Sequence, residues 1–74
     1  GDALEARELA HMLEGFLDTL SAENRAIFVR RYWFSDSCAE IATRVGISEG
    51  NVTVRLTRLR RALRKYLEDR GVYV

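Results

Sequence analysis

Residues 41–56, with the sequence IATRVGISEGNVTVRL, predict two short helices joined by a tight turn. Gly46 is the residue best able to adopt a positive φ where the first helix ends. Ser48 stands where its hydroxyl can cap the second helix by accepting from free backbone N–H groups. The apolar residues on both sides recur at helical spacing: Ile41, Ala42 and Val45 before the turn, and Val52, Leu56, Leu59 and Leu63 after it. This order is typical of a helix-turn-helix, whose second helix enters the major groove of DNA.

The second helix of this motif is strongly basic around its apolar stripe. Residues 37–74 carry eight basic against four acidic residues, a net charge of +4, whereas residues 1–36 carry four basic against seven acidic residues, a net charge of −3. Salt bridges across a helix surface are the ordinary explanation for such mixed charges. Here the basic residues cluster on the one helix that the motif assigns to the groove. The difference in net charge between the two halves of the chain therefore predicts two faces with different partners, of which the basic one binds DNA.

Hydrophobic periodicity predicts one small all-α domain over residues 1–74, built from four helices and no sheet. The helices are expected at about residues 3–20, 22–34, 37–45 and 49–69. Ser21 opens an imperfect capping box, Asp36 or Ser37 caps the third helix, and Gly71 ends the fourth. In the second helix, Tyr32 is expected to face inward with its apolar neighbours. The expected fold belongs to the winged-helix-like DNA-binding superfamily, without a wing and with a long C-terminal recognition helix.

The residues expected to read bases lie on the first turns of the recognition helix, opposite its apolar stripe. They are Glu49, Asn51, Thr53, Val54, Thr57 and Arg58. A glutamate can accept from the cytosine amino group, an asparagine can pair with adenine, and an arginine can take guanine bidentately. Val54 or Thr57 can meet a thymine methyl group. Gly50 lacks a side chain and lets the backbone come close to the bases.

A second set of residues is expected to contact the DNA backbone and to fix the register of the protein on the duplex. These are Arg31, Arg44, Ser48, Arg55, Arg61, Arg64 and Lys65. Arg30 is a further candidate at the end of the second helix. Arg60 and Arg70 are expected to be solvated charges without a partner.

An ordered set of segments runs through the last three helices: Phe28-Val29-Arg30-Arg31-Tyr32-Trp33, Ala39-Glu40-Ile41-Ala42, Gly46-Ile47-Ser48-Glu49-Gly50 and Arg58-Leu59-Arg60-Arg61-Ala62-Leu63. With the helix opening Leu20-Ser21-Ala22-Glu23-Asn24-Arg25, this set resembles region 4 of bacterial sigma factors of the extracytoplasmic-function (ECF) type. The resemblance covers roughly residues 14–68. It implies a piece of a longer sigma factor that binds the −35 promoter element while docked on the β flap of RNA polymerase. It also implies base reading by Thr53, Val54, Thr57 and Arg58, with Arg31 and Arg55 on the DNA backbone.

The chain departs from the pattern of that family at two places that bear on function. Thr53 and Val54 stand where a basic or small polar residue is usual, so an unusual promoter preference is expected. Phe34-Ser35-Asp36 replaces an acidic residue, Gly and Leu, so the turn after the second helix must be built differently. The protein partners implied by the resemblance are the RNA polymerase core and an anti-sigma factor. Candidate contacts for them are Phe16, Leu17 and Tyr73, the last within an apolar tail of residues 72–74.

The sequence argues against an enzyme, because His11 has no nucleophile partner and there is no Gly-rich phosphate loop. Cys38 and His11 are the only thiol and imidazole and lie far apart, so neither a metal nor a cofactor is expected. No small-molecule substrate is expected either. No apolar run approaches the length of a membrane span, and no signal-peptide pattern is present. The expected location is the cytoplasm, away from membranes.

Two other interpretations of the same residues remain open on the sequence alone. The first is the output domain of a response regulator, which shares the Ile-Ala-x-x-x-Gly-Ile-Ser core. It is disfavoured because residues 59–65 continue the recognition helix where that class would begin another one. The second is an adaptor that uses a region 4-like fold to bind protein or RNA. An adaptor predicts no discrimination between DNA sequences and a function that survives the loss of Thr57 and Arg58.

Overall fold

The computed structural model describes residues 2–73, with side chains described from residue 5 onward. Gly1 and Val74, the two ends of the expected domain, lie outside the described residues. The elements in chain order are α1 (Asp2–Asp18), α2 (Ala22–Tyr32), α3 (Cys38–Val45) and α4 (Glu49–Glu68). Residues 2–73 contain no strand, so the predicted all-α class, with no wing, is confirmed over this range.

Capping groups define the helix-turn-helix formed by α3, α4 and the residues between them. Ser37 accepts from the backbone N–H of Glu40 at 3.0 Å, and the Glu40 carboxylate accepts from the backbone N–H of Ser37 at 2.9 Å. This reciprocal pair is a complete capping box, so Ser37 rather than Asp36 caps α3. Gly46 ends α3 in the left-handed region at φ 81°, where a side chain would be strained. Ser48 then caps α4 by accepting from the N–H of Asn51 at 3.1 Å, as predicted.

The core has two parts that lie one above the other along α4. The first joins α2, α3 and α4 and consists of Ile27, Ile41, Ala42, Val52 and Leu56, with Cys38, Val45 and Ile47 packed against it. The second brings in α1 and consists of Phe16, Phe28 and Leu59, with Leu17, Leu20, Leu63 and Tyr66 around it. The first half of α4 is therefore held by the helix-turn-helix, and the second half by α1. Burying one stripe of α4 leaves its opposite side free.

The end of α2 differs from the sequence prediction in two respects. The helix stops at Tyr32, two residues before the expected end, and Ser35 adopts a positive φ of 57° that is incompatible with a continuing helix. The inward orientation predicted for Tyr32 is wrong, because the residue remains 44% exposed. Its ring packs against Phe28 at an interplanar angle of 50°, with 4.8 Å between ring centroids, while its hydroxyl reaches the surface of α4. Trp33 also lies on the outside of the molecule.

Candidate DNA-binding site

The first two turns of α4 present a face that the core does not cover. Val52 and Leu56 are buried and fix the rotation of the helix about its own axis. The residues on the outer side that are exposed are Glu49, Gly50, Asn51, Thr53, Val54 and Arg58, with Thr57 half-buried. These include all six side chains predicted to read bases. An exposed recognition helix of this kind is what a helix-turn-helix presents to the major groove.

Two threonines on this face hydrogen-bond to their own helix. The hydroxyl of Thr53 donates to the carbonyl of Glu49 at 3.1 Å, and the hydroxyl of Thr57 donates to the carbonyl of Thr53 at 3.1 Å. Because a hydroxyl has a single proton, neither side chain has a donor left for another group. Val54, between them, is 47% exposed.

One flank of α4 is tied to the beginning of α2 through Arg55. Its guanidinium forms an ion pair with Glu23 and donates to Asn24 Oδ1 at 3.3 Å, and its Nε donates to Asn51 Oδ1 at 3.0 Å. The Arg55 side chain is only 30% exposed. Arg55 therefore joins two helices in addition to any contact with DNA. Asn51 keeps both amide hydrogens and one lone pair of its carbonyl oxygen for a bidentate pairing with adenine.

The opposite flank of α4 is anchored to the end of α2 through Arg60, which was expected to be a solvated charge. Its Nη1 donates to the hydroxyl of Tyr32 at 2.9 Å, and its Nη2 donates to Thr57 Oγ1 at 3.4 Å. Thr57, Arg60, Arg61 and Arg64 line a cleft of about 290 Å³ on this side. The arginine that sequence reasoning set aside thus stands beside a predicted base-reading residue. Arg70 also has a partner, because its guanidinium lies 3.4 Å from the centroid of the Tyr66 ring.

A third basic group surrounds Asp36 in the turn between α2 and α3. The Asp36 carboxylate lies 3.4 Å from Nε of Arg44 and 4.0 Å from Nε of Arg30. The Arg31 guanidinium donates to the backbone carbonyl of Asp36 at 3.1 Å. The Asp36 side chain is only 11% exposed, so one nearly buried residue gathers three arginines from two helices. Arg31 and Arg44, both predicted to contact DNA phosphates, are brought together by this turn.

The remaining predicted site residues fall on the surface, with one exception. Arg61, Arg64 and Lys65 lie along α4 outside the buried core, and Lys65 lies 3.8 Å from Asp69. The expectation that Phe16 contacts a protein partner needs correction, because Phe16 is 2% exposed and packs edge-on against Phe28. Leu17 is half-buried, whereas Tyr73 is well exposed.

Three residues of the site were not found by sequence reasoning: Glu23, Tyr32 and Asp36. Glu23 and Tyr32 meet their α4 partners from the two ends of α2, about thirty positions away in the chain. Local spacing carries no signal for such pairs. For Asp36 a signal existed, since an aspartate between a helix ending in two arginines and a helix containing Arg44 is a natural ion-pair partner.

The described residues form neither a candidate metal site nor a candidate membrane-spanning helix. Within residues 2–73, no three His, Cys, Asp or Glu side chains lie close enough together to hold a metal ion. Over the same residues, no helix combines the length and the apolar character that crossing a bilayer would require.

Fold and surface together define a helix-turn-helix domain with an exposed, arginine-flanked recognition helix. Comparison with known proteins agrees: the profile of the family described as "Sigma-70, region 4" matches residues 10–63. The chain belongs to this family. It is 50% identical over 56 residues, 76% of its length, to the ECF RNA polymerase sigma factor SigL of three strains of Mycobacterium tuberculosis. The chain spans about a third of the length of these curated relatives, since the match covers 32% of each.

Proposed function

We propose that this chain binds promoter DNA sequence-specifically, as the −35-reading region 4 of an ECF sigma factor in transcription initiation. The observation that carries the proposal is the uncovered face of α4. Burial of Val52 and Leu56 fixes the rotation of the helix, so the opposite side of its first two turns faces outward. Family membership supports it, because the similar SigL proteins carry the name of RNA polymerase sigma factors. Acting on promoters in this way would place the protein in the cytoplasm.

Base reading is assigned to the outer face of α4, and backbone binding to the arginines around it. Arg58 is exposed in the third turn, where a guanidinium can reach the O6 and N7 atoms of guanine. Arg61 and Arg64 follow further along the helix and are placed to meet phosphates. Arg31 and Arg44 approach from the Asp36 turn as a second backbone contact. Glu49 is exposed beside the Ser48 cap, within reach of a cytosine amino group.

The opposite end of the molecule is proposed to bind protein, with the β flap of RNA polymerase as the partner and an anti-sigma factor as a competitor. Leu9, Met12 and Val72 form an apolar cleft of about 250 Å³, with Glu5 and Glu8 at its edge. Exposed Tyr73 follows Val72 directly, so its ring is available beside the cleft. We expect Tyr73→Ala to weaken binding of the isolated flap domain, measured by fluorescence anisotropy, while DNA affinity is unchanged. An equal loss on both ligands would contradict this division of the surface.

The experiment that tests DNA reading is selection from random duplexes at low salt. The selected duplex and its scrambled form are then titrated across a salt series. A motif whose preference survives added salt supports base reading, because phosphate contacts alone lose affinity steeply with salt. Uniform binding that vanishes with salt would contradict the proposal and favour an adaptor that binds protein or RNA.

Arginine variants separate the contribution of base reading to DNA affinity from the contribution of charge. Arg58→Ala is expected to cost about 1–3 kcal/mol on the selected duplex only. Arg61→Ala should weaken all duplexes alike and lower the salt slope by about one unit. Arg7→Ala removes the same charge from α1 and is the control, expected to change neither quantity. Equal losses for Arg58→Ala on selected and scrambled DNA would remove Arg58 from the base-reading set.

A further inference from the structure

This inference rests on the proposed function and concerns what the α4 face can recognise. Of the groups that face the bases, Thr53 and Thr57 are the polar ones nearest the centre of the surface. Both hydroxyl protons are committed to carbonyls of the helix itself, at 3.1 Å in each case. Either threonine must therefore break this bond before it can donate to a base.

The acceptor side of Thr57 is also engaged. Its oxygen receives the Nη2 hydrogen of Arg60 at 3.4 Å, and the hydroxyl of Tyr32 holds the Arg60 guanidinium at 2.9 Å. With its proton and one of its two oxygen lone pairs used, Thr57 presents its γ-methyl and one remaining acceptor lone pair. The Arg60–Tyr32 contact thus acts on the site through Thr57, and Arg60 is a positioning residue.

Val54 continues this apolar surface, and Gly50 leaves it open. Val54 is 47% exposed, so its isopropyl group faces outward beside the two threonines. A methyl group added at Gly50 would meet no protein atom within 4 Å, so the space one turn before Val54 is free. A base edge can therefore approach the helix closely at this level.

We propose that Thr53, Val54 and Thr57 form an apolar reading surface for the 5-methyl groups of thymine in the major groove. Thymine is the base that presents a methyl group there, and threonine methyl and small apolar side chains are the groups that contact it. The N7 and O6 acceptors of guanine, by contrast, call for a donor that none of these three side chains has free. The preferred site should therefore contain A·T pairs at the positions that face this surface, with Arg58 selecting an adjacent guanine.

The test replaces thymine with uracil, one position at a time, in the duplex obtained by selection. Uracil pairs identically and lacks only the methyl group. Each contacted thymine should lose about fourfold in affinity when replaced, the equivalent of one buried methyl at roughly 0.8 kcal/mol. Thymines outside the contacted positions serve as internal controls and should show no change.

Matched protein variants separate the methyl from the hydroxyl. Thr53→Val keeps a methyl in place and removes the hydroxyl, and it should retain affinity. Thr53→Ser keeps the hydroxyl and removes the methyl, and it should lose about fourfold on the thymine duplex but nothing on the matching uracil duplex. Circular dichroism on both variants checks that the helix is unchanged. Thr57→Val and Thr57→Ser make the same comparison at the position whose hydroxyl accepts from Arg60.

The outcomes distinguish this inference from the proposed function. A selected motif whose uracil forms bind as well as the thymine forms would overturn the methyl-reading surface and leave promoter reading intact. The methyl-reading surface is equally overturned if the serine variants keep affinity and the valine variants lose it, because the hydroxyls would then do the reading. A selection that enriches no sequence would overturn both.

Discussion

Gly15 lies in the last turn of α1, where replacing glycine by alanine would normally stabilise a helix by up to about 1 kcal/mol. In this structure a methyl group at Gly15 would stand 2.5 Å from the hydroxyl oxygen of Tyr66 on α4. The Tyr66 ring packs edge-on against Phe16, with 5.6 Å between centroids, and the guanidinium of Arg70 also lies over this ring. We therefore expect Gly15→Ala to clash rather than to stabilise.

The size of the effect follows from two opposing contributions. Forcing an extra methyl into a packed interface costs about 1–3 kcal/mol, from which the gain in helix propensity of about 1 kcal/mol is subtracted. The net loss in free energy of unfolding should be about 1 kcal/mol. The ring carbon that bears the hydroxyl lies 3.6 Å from the added methyl, an ordinary van der Waals distance. Tyr66→Phe should therefore remove the clash while keeping the ring.

The assay is a double-mutant cycle measured by urea unfolding with far-UV circular dichroism. In the Tyr66→Phe background, Gly15→Ala should stabilise the domain by about 1 kcal/mol, the opposite sign to its effect in the natural chain. Gly50→Ala is the matched control, because a methyl there meets no protein atom within 4 Å. If Gly15→Ala stabilises both backgrounds equally, the close approach of α1 to Tyr66 is refuted.

Three further predictions follow from particular contacts. Gly50→Ala should leave stability equal or slightly raised, because its methyl meets no protein atom within 4 Å. It should weaken binding to the selected duplex about tenfold in a titration, the equivalent of roughly 1.4 kcal/mol for an overpacked contact with the bases; unchanged affinity would show that the bases do not come that close. The backbone N–H of Ser37, followed by its hydroxyl, lowers the pKa of Glu40 below its ordinary 4.5. The stability that the ionised Glu40 carboxylate supplies is present above about pH 4.5 and is lost as the pH falls through its lowered pKa. The midpoint of urea unfolding should therefore fall less steeply with decreasing pH in Glu40→Gln than in the natural chain. Ile41→Ala empties a fully buried site and should cost about 2–5 kcal/mol of unfolding free energy, with Thr43→Ala on the exposed side of α3 as a near-neutral control.

Much of the fold could be predicted because it depends on short spacings. The turn between α3 and α4 requires one residue with positive φ and one capping hydroxyl, and Gly46 and Ser48 supply them within three positions. The periodicity of Val52 and Leu56 places the opposite side of α4 outward without further information. The composition of the candidate DNA-reading face is thus a local property of the helix.

The partners and the burial of particular side chains could not be predicted in the same way. Arg55 and Arg60 both lie on α4, yet one pairs with Glu23 and the other with Tyr32. Which partner each finds depends on where the two ends of α2 lie across α4. For Phe16, helical periodicity predicts only that it is on the apolar side, and packing against Phe28 and Tyr66 decides that it is buried.

The amino-acid sequence by itself determined the four helices, the helix-turn-helix and the basic recognition helix, because capping and helical periodicity act over a few residues. The tertiary structure alone decided that Arg60 and Tyr32 hold Thr57, that Arg55 ties α4 to α2, and that Asp36 gathers its arginines. The physical reason is the distance along the chain over which each interaction acts. A long side chain takes its partner from whatever element the core has packed beside it, and that element is set by burial of apolar surface over the whole domain.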